Sequence, residues 1–168
     1  AYMNTGIQRS SSTPWGASTT TSPAGKKSIG QHTQKKDMAK IAIAHNAPYV
    51  ATACSSFPFD LMDKVKKAAA TPGPAYLHVL SVCPTGWRIQ PEEAIKYGRL
   101  AVDCCVFPLY EYENGKYRLT YKPGHIQTVN EYIKGQGRFR HLTPADIDAI
   151  QARTTADYEK LLKLCDEG

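Results

Sequence analysis

Two places in this chain carry side chains whose type and spacing suit chemistry. The first is the opening stretch AYMNTGIQRSSSTPWGASTTTSPAG, residues 1–25. Asn4, Thr5 and Gly6 form a turn there, Gln8 and Arg9 follow, and then come the hydroxyls of Ser10, Ser11, Ser12 and Thr13. Such a stretch has no apolar periodicity and builds no core. Inside a globular chain it is kept where its polar groups and backbone face a ligand. The competing reading is a disordered Ser/Thr/Pro linker, with Asn4 as an Asx-turn residue. The second place is Cys83, which follows an apolar run and precedes Pro84, like the Cys-Pro ending of bacterial ferredoxin cluster motifs. A lone cysteine after a strand is otherwise a small buried hydrophobe.

The remaining candidates read more plainly. Cys54 ends a strand, where active-site loops occur in open sheets, but packing explains it equally well. Cys104 and Cys105 are adjacent and cannot both face one site, so they belong to the core. Cys165 lies in the tail. His45 at a helix end suits the helix dipole. His78 inside an apolar strand is a hydrogen-bonded core histidine. Lys26 and Lys27 form a solvated patch.

Bulk composition narrows the class. The chain has 168 residues, 42% hydrophobic and 21% charged, with a net charge of +6. That fits one soluble domain, or most of one, with a real core. The positive balance suits an acidic or phosphorylated partner, yet no Lys/Arg run is long enough to argue nucleic acid. No apolar stretch has membrane-spanning length. Five cysteines are an odd number without disulfide-scaffold density, which indicates a reducing, cytoplasmic compartment.

The elements that must position these groups follow in order. Residues 1–32 are loop-like. QKKDMAKIAIAHN predicts a short amphipathic helix with Thr33 as N-cap and Asn46 as stop. YVATA reads as a strand buried on both faces, as in a parallel sheet. Pro58 precedes a helix over 59–70 with Leu61, Met62 and Val65 inward. AYLHVLSV is a second buried strand, so the segment is a βαβ unit with a right-handed crossover. Pro91, Glu92 and Glu93 open a helix to about Cys104. Asn114-Gly115 between two alternating aromatic runs predicts a type I′ hairpin. A short helix over 128–134 and a longer one from Thr143-Pro144 to Leu164 complete the chain.

The motif YMNTGIQRSSSTP, together with KKDMAKIAIAHNAPYVATA, GPAYLHVLSVCPTGW and FPLYEYENGKYRLT…YIKGQGRFRHL, resembles the thiamine-diphosphate-binding β subunit of 2-oxoacid:ferredoxin oxidoreductases of the pyruvate type. The resemblance covers nearly the whole chain. It implies an α/β fold: a partial doubly wound parallel sheet of the thiamine-diphosphate-binding fold, with a C-terminal β-hairpin and helical extension. Residues 1–105 would be the C-terminal half of that domain and 106–168 the extension. It also implies that the family's metal-binding GDG motif and three cluster cysteines lie upstream, so the chain corresponds to the C-terminal part of the subunit.

By the same resemblance, the backbone carbonyl of Ala1 would bind Mg2+ on the cofactor diphosphate. Asn4 would sit near the reactive carbon, where an amide can hydrogen-bond a developing oxyanion without competing as an acid. Thr5 and Gly6 would let the loop turn over the cofactor. Gln8, Arg9 and the hydroxyl run would line the entrance for substrate and coenzyme A, or else satisfy loop backbone. Coenzyme A phosphates are a weaker alternative for Lys26 and Lys27. Cys83 would be the last ligand of a [4Fe–4S] cluster, with Trp87 packed near it or closing the apolar layer. The implied activity is oxidative decarboxylation of a 2-oxoacid, pyruvate first and branched-chain acids or oxalate next, giving acyl-CoA and CO2 with electrons passed to ferredoxin. The implied partners are the α and other subunits, which would supply the activating acid. The alternative is a structural or interaction fragment, inactive without them. A decarboxylase or synthase of the wider thiamine family is disfavoured, because those enzymes lack the NTGIQRSS loop and need no cysteine at position 83.

Overall fold

The computed structural model describes residues 8–166. A two-stranded hairpin comes first, β1 (Ala24–Gly25) and β2 (Ser28–Ile29). Then follow α1 (Met38–Ala44), β3 (Tyr49–Cys54), α2 (Pro58–Ala70), β4 (Ala75–Leu80) and α3 (Pro84–Trp87). A 3-10 turn at Pro91–Glu93 leads into α4 (Ala94–Asp103). The hairpin β5 (Tyr110–Glu113) and β6 (Lys116–Leu119) is followed by α5 (Val129–Ile133), a 3-10 turn at Gly137–Phe139, and α6 (Pro144–Asp166).

The main sheet has the order β4-β3-β5-β6. β3 pairs parallel with β4 from Tyr49↔Ala75 to Cys54↔Leu80, and antiparallel with β5 from Tyr49↔Glu113 to Ala51↔Glu111. All six residues of β3 are buried, which is why its sequence is apolar without alternation. The α/β class, the parallel pair, the hairpin and the long terminal helix are as expected. The hairpin does more than append itself, because β5 continues the same sheet and makes it mixed. Its turn residues Asn114 and Gly115 both have positive φ, at 50° and 82°, as a type I′ turn requires.

Three expectations are corrected. The N-cap of α1 is Asp37, not Thr33: the Asp37 carboxylate accepts the Lys40 N–H at 3.1 Å, while the Thr33 hydroxyl accepts from Gln31 Nε2 at 2.5 Å. Strand β4 is half-exposed rather than buried, because it is an edge of the described sheet. The inward face of α2 is not apolar. Met62 and Val65 are each 47% exposed and Phe59 is 77% exposed, while Lys64 is the buried residue of the helix.

The row Asp60, Lys64 and Lys67 faces the sheet instead. The Lys64 ammonium donates to the Thr52 carbonyl of β3, to Asp60 Oδ2 and to Thr120 Oγ1, each at 2.7 Å. All three of its protons are used. Burial still pulls its pKa below the usual lysine range, partly offset by Asp60. Beside it, the buried Glu111 carboxylate of β5 accepts from Tyr49 Oη at 2.9 Å and from Lys67 Nζ at 2.9 Å, and pairs with Arg118.

Two apolar clusters fill the rest. One gathers Trp87, Tyr97, Val102, Phe107, Leu109, Tyr132 and Phe139, joining α3, α4 and α5. The other joins α1, β3 and β5 to α6 through Ala39, Val50, Tyr110, Tyr158 and Leu161. Burying a side chain the size of Leu109 stabilises by about 1.5–3 kcal/mol.

Burial raises the Glu111 pKa, but the Lys67 and Tyr49 hydrogen bonds and the Arg118 charge outweigh it, and the net shift is downward from 4.5. A depressed carboxylate pKa contributes stability that is present above the unfolded-state value and lost as pH falls through the folded one. Glu111→Gln should therefore lower unfolding free energy by about 2 kcal/mol at pH 7. It should also remove part of the fall in stability that the native chain shows below about pH 4.5. Urea denaturation across that range checks both.

Candidate functional site

In open sheets containing parallel strands, ligands bind outside the carboxyl ends of those strands. Here those ends are Cys54 of β3 and Leu80 of β4, joined by the Ser55 N–H to Leu80 carbonyl hydrogen bond at 3.1 Å. Cys54 itself is fully buried, and its thiol donates to the Gly98 carbonyl at 3.7 Å. Burial pushes its pKa up, so it is a packing residue. Ser56, two residues on, is also buried, and its hydroxyl has no hydrogen-bond partner among the described residues. Residues 54–56 bring one orphaned polar atom to the carboxyl end of the central strand.

Cys83 stands three residues after β4, half-buried, as the N-cap of α3. Pro84 at the first helical position needs no N–H partner, and the Gly86 N–H is donated to Cys83 Sγ at 3.4 Å. That arrangement leaves a thiol at the surface with a backbone dipole aimed at the sulfur. Hydrogen bonds to sulfur are also a feature of cysteine-ligated metal sites. Trp87 ends the same helix and closes the apolar layer, edge-on to Tyr132 at 5.9 Å.

Above Trp87 lies a residue that the sequence gives no sign of. Arg138 is 5% exposed and places its guanidinium 3.9 Å from the Trp87 ring centre. Nε donates to Gln136 Oε1 at 2.8 Å and Nη2 to Tyr132 Oη at 3.0 Å. Burial lowers its pKa, and the charges of Tyr132 and Cys83 raise it. Its buried charge is held by neutral acceptors and a ring face instead of a carboxylate. Within QGRFRHL, Arg138 and Arg140 look alike, and only the 3-10 turn separates the buried one from the exposed one.

The opening stretch, from residue 8 onward, is a folded loop and not a linker. Ser10 and Thr13 build it: Thr13 Oγ1 accepts the Ser10 N–H at 2.9 Å, and Ser10 Oγ accepts the Ser12 N–H at 3.2 Å. Thus the hydroxyls at Ser10 and Thr13 satisfy loop backbone. Gln8 and Arg9 are exposed, and the Arg9 N–H donates to Thr21 Oγ1 at 2.8 Å. Further along, the Gly16 N–H donates to the Gln31 carbonyl at 2.7 Å and the Ser18 N–H to the Arg138 carbonyl at 2.8 Å. Ala1, Asn4, Thr5 and Gly6 lie outside the described residues.

His78 is half-buried and packs edge-on to Phe107 at 5.3 Å. It has no hydrogen-bond partner among the described residues, so the expected hydrogen-bonded core histidine is corrected. Burial and the nearby Lys35 charge push its pKa down to about 4, so it stays neutral at pH 7. Cys104 and Cys105 are buried as expected, with pKa values pushed up by burial to about 12 and about 11. Among the described residues no three His, Cys, Asp or Glu side chains gather to hold a metal, so Cys83 can supply one ligand and no more. No helix among the described residues is long and apolar enough to cross a membrane.

A mixed α/β sheet with a parallel pair carries a polar opening loop on one flank. Residues 1–79 match the family described as thiamine pyrophosphate enzyme, C-terminal TPP binding domain. The chain is also 60% identical over 151 residues to pyruvate synthase subunit PorB of Methanocaldococcus jannaschii, covering 90% of this chain and 51% of that protein. It is 54% identical over 151 residues to the PorB subunit of Methanothermobacter thermautotrophicus, covering 90% and 52%. Ketoisovalerate oxidoreductase subunit VorB of Pyrococcus horikoshii is 45% identical over 168 residues, covering 99% and 54%. The chain spans about half the length of the curated relatives it matches. The resemblance to the β subunit of a 2-oxoacid:ferredoxin oxidoreductase is thereby borne out.

Thiol exposure divides the cysteines, and alkylation reads it directly. Iodoacetamide at pH 8 under native conditions should modify Cys83 and Cys165, leaving Cys54, Cys104 and Cys105 intact until the chain is unfolded. Peptide mass spectrometry at timed quenches checks the division.

Proposed function

We propose that this chain works as part of the β subunit of a 2-oxoacid:ferredoxin oxidoreductase and acts on pyruvate. The observation that carries the reading is Cys83: a half-exposed thiol with an N–H aimed at its sulfur, just beyond a parallel strand, in a chain whose first 79 residues match a thiamine pyrophosphate-binding family.

The residues present fit the implied groups in part. Thiamine diphosphate with Mg2+, when bound, supplies the chemistry that releases CO2 from a 2-oxoacid. On this chain the Ala1 carbonyl would hold the metal, and the Asn4 amide would donate to the oxygen that gains charge. Thr5 and Gly6 would turn the loop over the cofactor, with Gln8 and Arg9 at its exposed rim. A [4Fe–4S] cluster supplies single-electron transfer to ferredoxin. Cys83 would be one of its ligands, and the other three would come from outside the described residues. Coenzyme A would take the acyl group, and an α subunit would supply the activating acid, in a cytoplasmic assembly.

A branched-chain 2-oxoacid is the second reading, favoured by the similarity to VorB over 99% of the chain. The two substrates can be separated by comparing kcat/KM for pyruvate and 2-ketoisovalerate in the assembled enzyme.

Two variants of that enzyme test the residue roles. Asn4→Ala should lower kcat by about 100-fold, as loss of one oxyanion donor does elsewhere, with thiamine diphosphate affinity nearly unchanged. Unchanged turnover would remove Asn4 from the mechanism. Cys83→Ser should lose one cluster's iron, with its electron-paramagnetic signal. Full iron content would return Cys83 to a packing role.

A further inference from the structure

A cavity of about 720 Å³ opens between the segment that precedes α1, one face of the main sheet and α6. Its size is that of a small-molecule site. Thr52 of β3 and its register partner His78 of β4 reach it from the sheet, and Phe107, Tyr110, Tyr158 and Leu161 give it aromatic and apolar walls. One amine on this lining is left out of the polar networks of the fold. Lys35 stands two residues before the Asp37 cap of α1, half-buried, with Nζ 4.6 Å from the centre of the Phe107 ring. Buried Phe107 also takes the His78 ring edge-on at 5.3 Å. Unlike Lys64 and Lys67, Lys35 makes no hydrogen bond or ion pair with a described residue.

The groups that face this amine do not hold a proton on it. On its own segment, Asp37 is committed to capping α1 and to Lys40 at 3.3 Å, while Lys36 and Lys40 add positive charge. From α6, Arg153 and Asp157 pair with each other at 3.6 Å. His78 is neutral, and burial raises the pKa values of Tyr110, Tyr117, Tyr132, Tyr158 and Cys105, so none of these carries charge at pH 8. Burial accordingly pulls Lys35 from 10.5 down to about 8, against a smaller upward pull from Asp37. At pH 8 about half of its side chains are free amine, against about 0.3% for a lysine at the ordinary value. A desolvated lysine in an apolar cavity is the form that adds to carbonyl carbon. An anionic ligand would draw a proton back onto the nitrogen, whereas a neutral carbonyl takes its lone pair.

We infer that Lys35 is a covalent site for aldehydes with an aromatic or branched apolar body, held by the walls of this cavity while the amine adds to the carbonyl carbon. Nζ gives its lone pair to that carbon, forming the C–N bond of a carbinolamine, and a proton passes from nitrogen to oxygen. The carbinolamine then loses its hydroxyl and the remaining amine proton as water, which leaves an imine with no change in oxidation state. The inference does not rest on the thiamine reading. The test is reductive trapping in the assembled enzyme with benzaldehyde and sodium cyanoborohydride at pH 8, read lysine by lysine by peptide mass spectrometry. Lys35 should gain the benzyl group about tenfold or more faster than exposed Lys66, and its rate should saturate with benzaldehyde. Benzyl alcohol, which fills the cavity without reacting, should slow labelling at Lys35 and not at Lys66. Formaldehyde, too small to use the walls, should show a weaker preference for Lys35. Lys35→Arg should abolish the label at that position and leave the rate at Lys66 unchanged. Labelling of Lys35 no faster than Lys66 would overturn the inference. So would a rate that rises linearly with benzaldehyde and ignores benzyl alcohol, or an equal preference with formaldehyde, since either would mark a reactive amine without a binding site.

Discussion

A buried ammonium sets the geometry of the central strand. Desolvating a lysine costs several kcal/mol, and it is tolerated only when each proton finds an acceptor. Lys64 finds its three in different parts of the chain: the Thr52 carbonyl on β3, Asp60 one turn earlier on α2, and Thr120 just past β6. The bond to β3 fixes how α2 lies on the sheet. The bond to Thr120 ties the β5–β6 hairpin to the βαβ unit. The Thr52 hydroxyl extends the same network, donating to the Pro108 carbonyl at 2.7 Å and accepting the Tyr110 N–H at 3.0 Å. Strand β3 is thereby held from both sides by polar contacts as well as by its ladders.

That constraint explains where the sequence was legible and where it was not. Strand β3 could be read because its lack of alternation has one cheap explanation, burial on both faces. Asn114-Gly115 could be read because few residues other than Asn and Gly tolerate two successive positive φ values. Helix α2 could be located by Pro58 and its length, but its rotation could not. Periodicity assumes that apolar residues point inward, and in α2 the row Asp60, Lys64, Lys67 won that face. The acceptors that permit this come from positions 52, 111 and 120, and no local pattern reports them. Once the charged row turned inward, Phe59, Met62 and Val65 had to turn out.

The candidate site shows the same split. Cys83 was visible because Cys-Pro after an apolar run is a local signal. Its environment was not, because Arg138 reaches Trp87 across 51 positions of sequence, through the turn at Gly137–Phe139. The hydroxyl run was visible, but composition does not separate a ligand-facing loop from a self-satisfied one. Ser10 and Thr13 prove to be spent on the loop's own backbone, while Ser11 and Ser12 remain exposed.

The positive balance of the chain also acquires a location. Six of its fifteen acids make ion pairs among the described residues: Asp37, Asp63, Glu93 and Asp157 with cations within a turn of helix, Asp60 with Lys64, and Glu111 with Lys67 and Arg118. Net charge left over must appear where cations outnumber acids, and the segments around Arg88 are such a place. Helix α3 consequently separates two electrostatic environments over four residues. At its start a thiol receives a backbone N–H. At its end stands an arginine in a left-handed conformation that makes no ion pair with a described residue. An α-helix of four residues rises only about 6 Å. Groups held at its two ends would therefore share one electrostatic neighbourhood, and a negative charge at either end would be felt at the other.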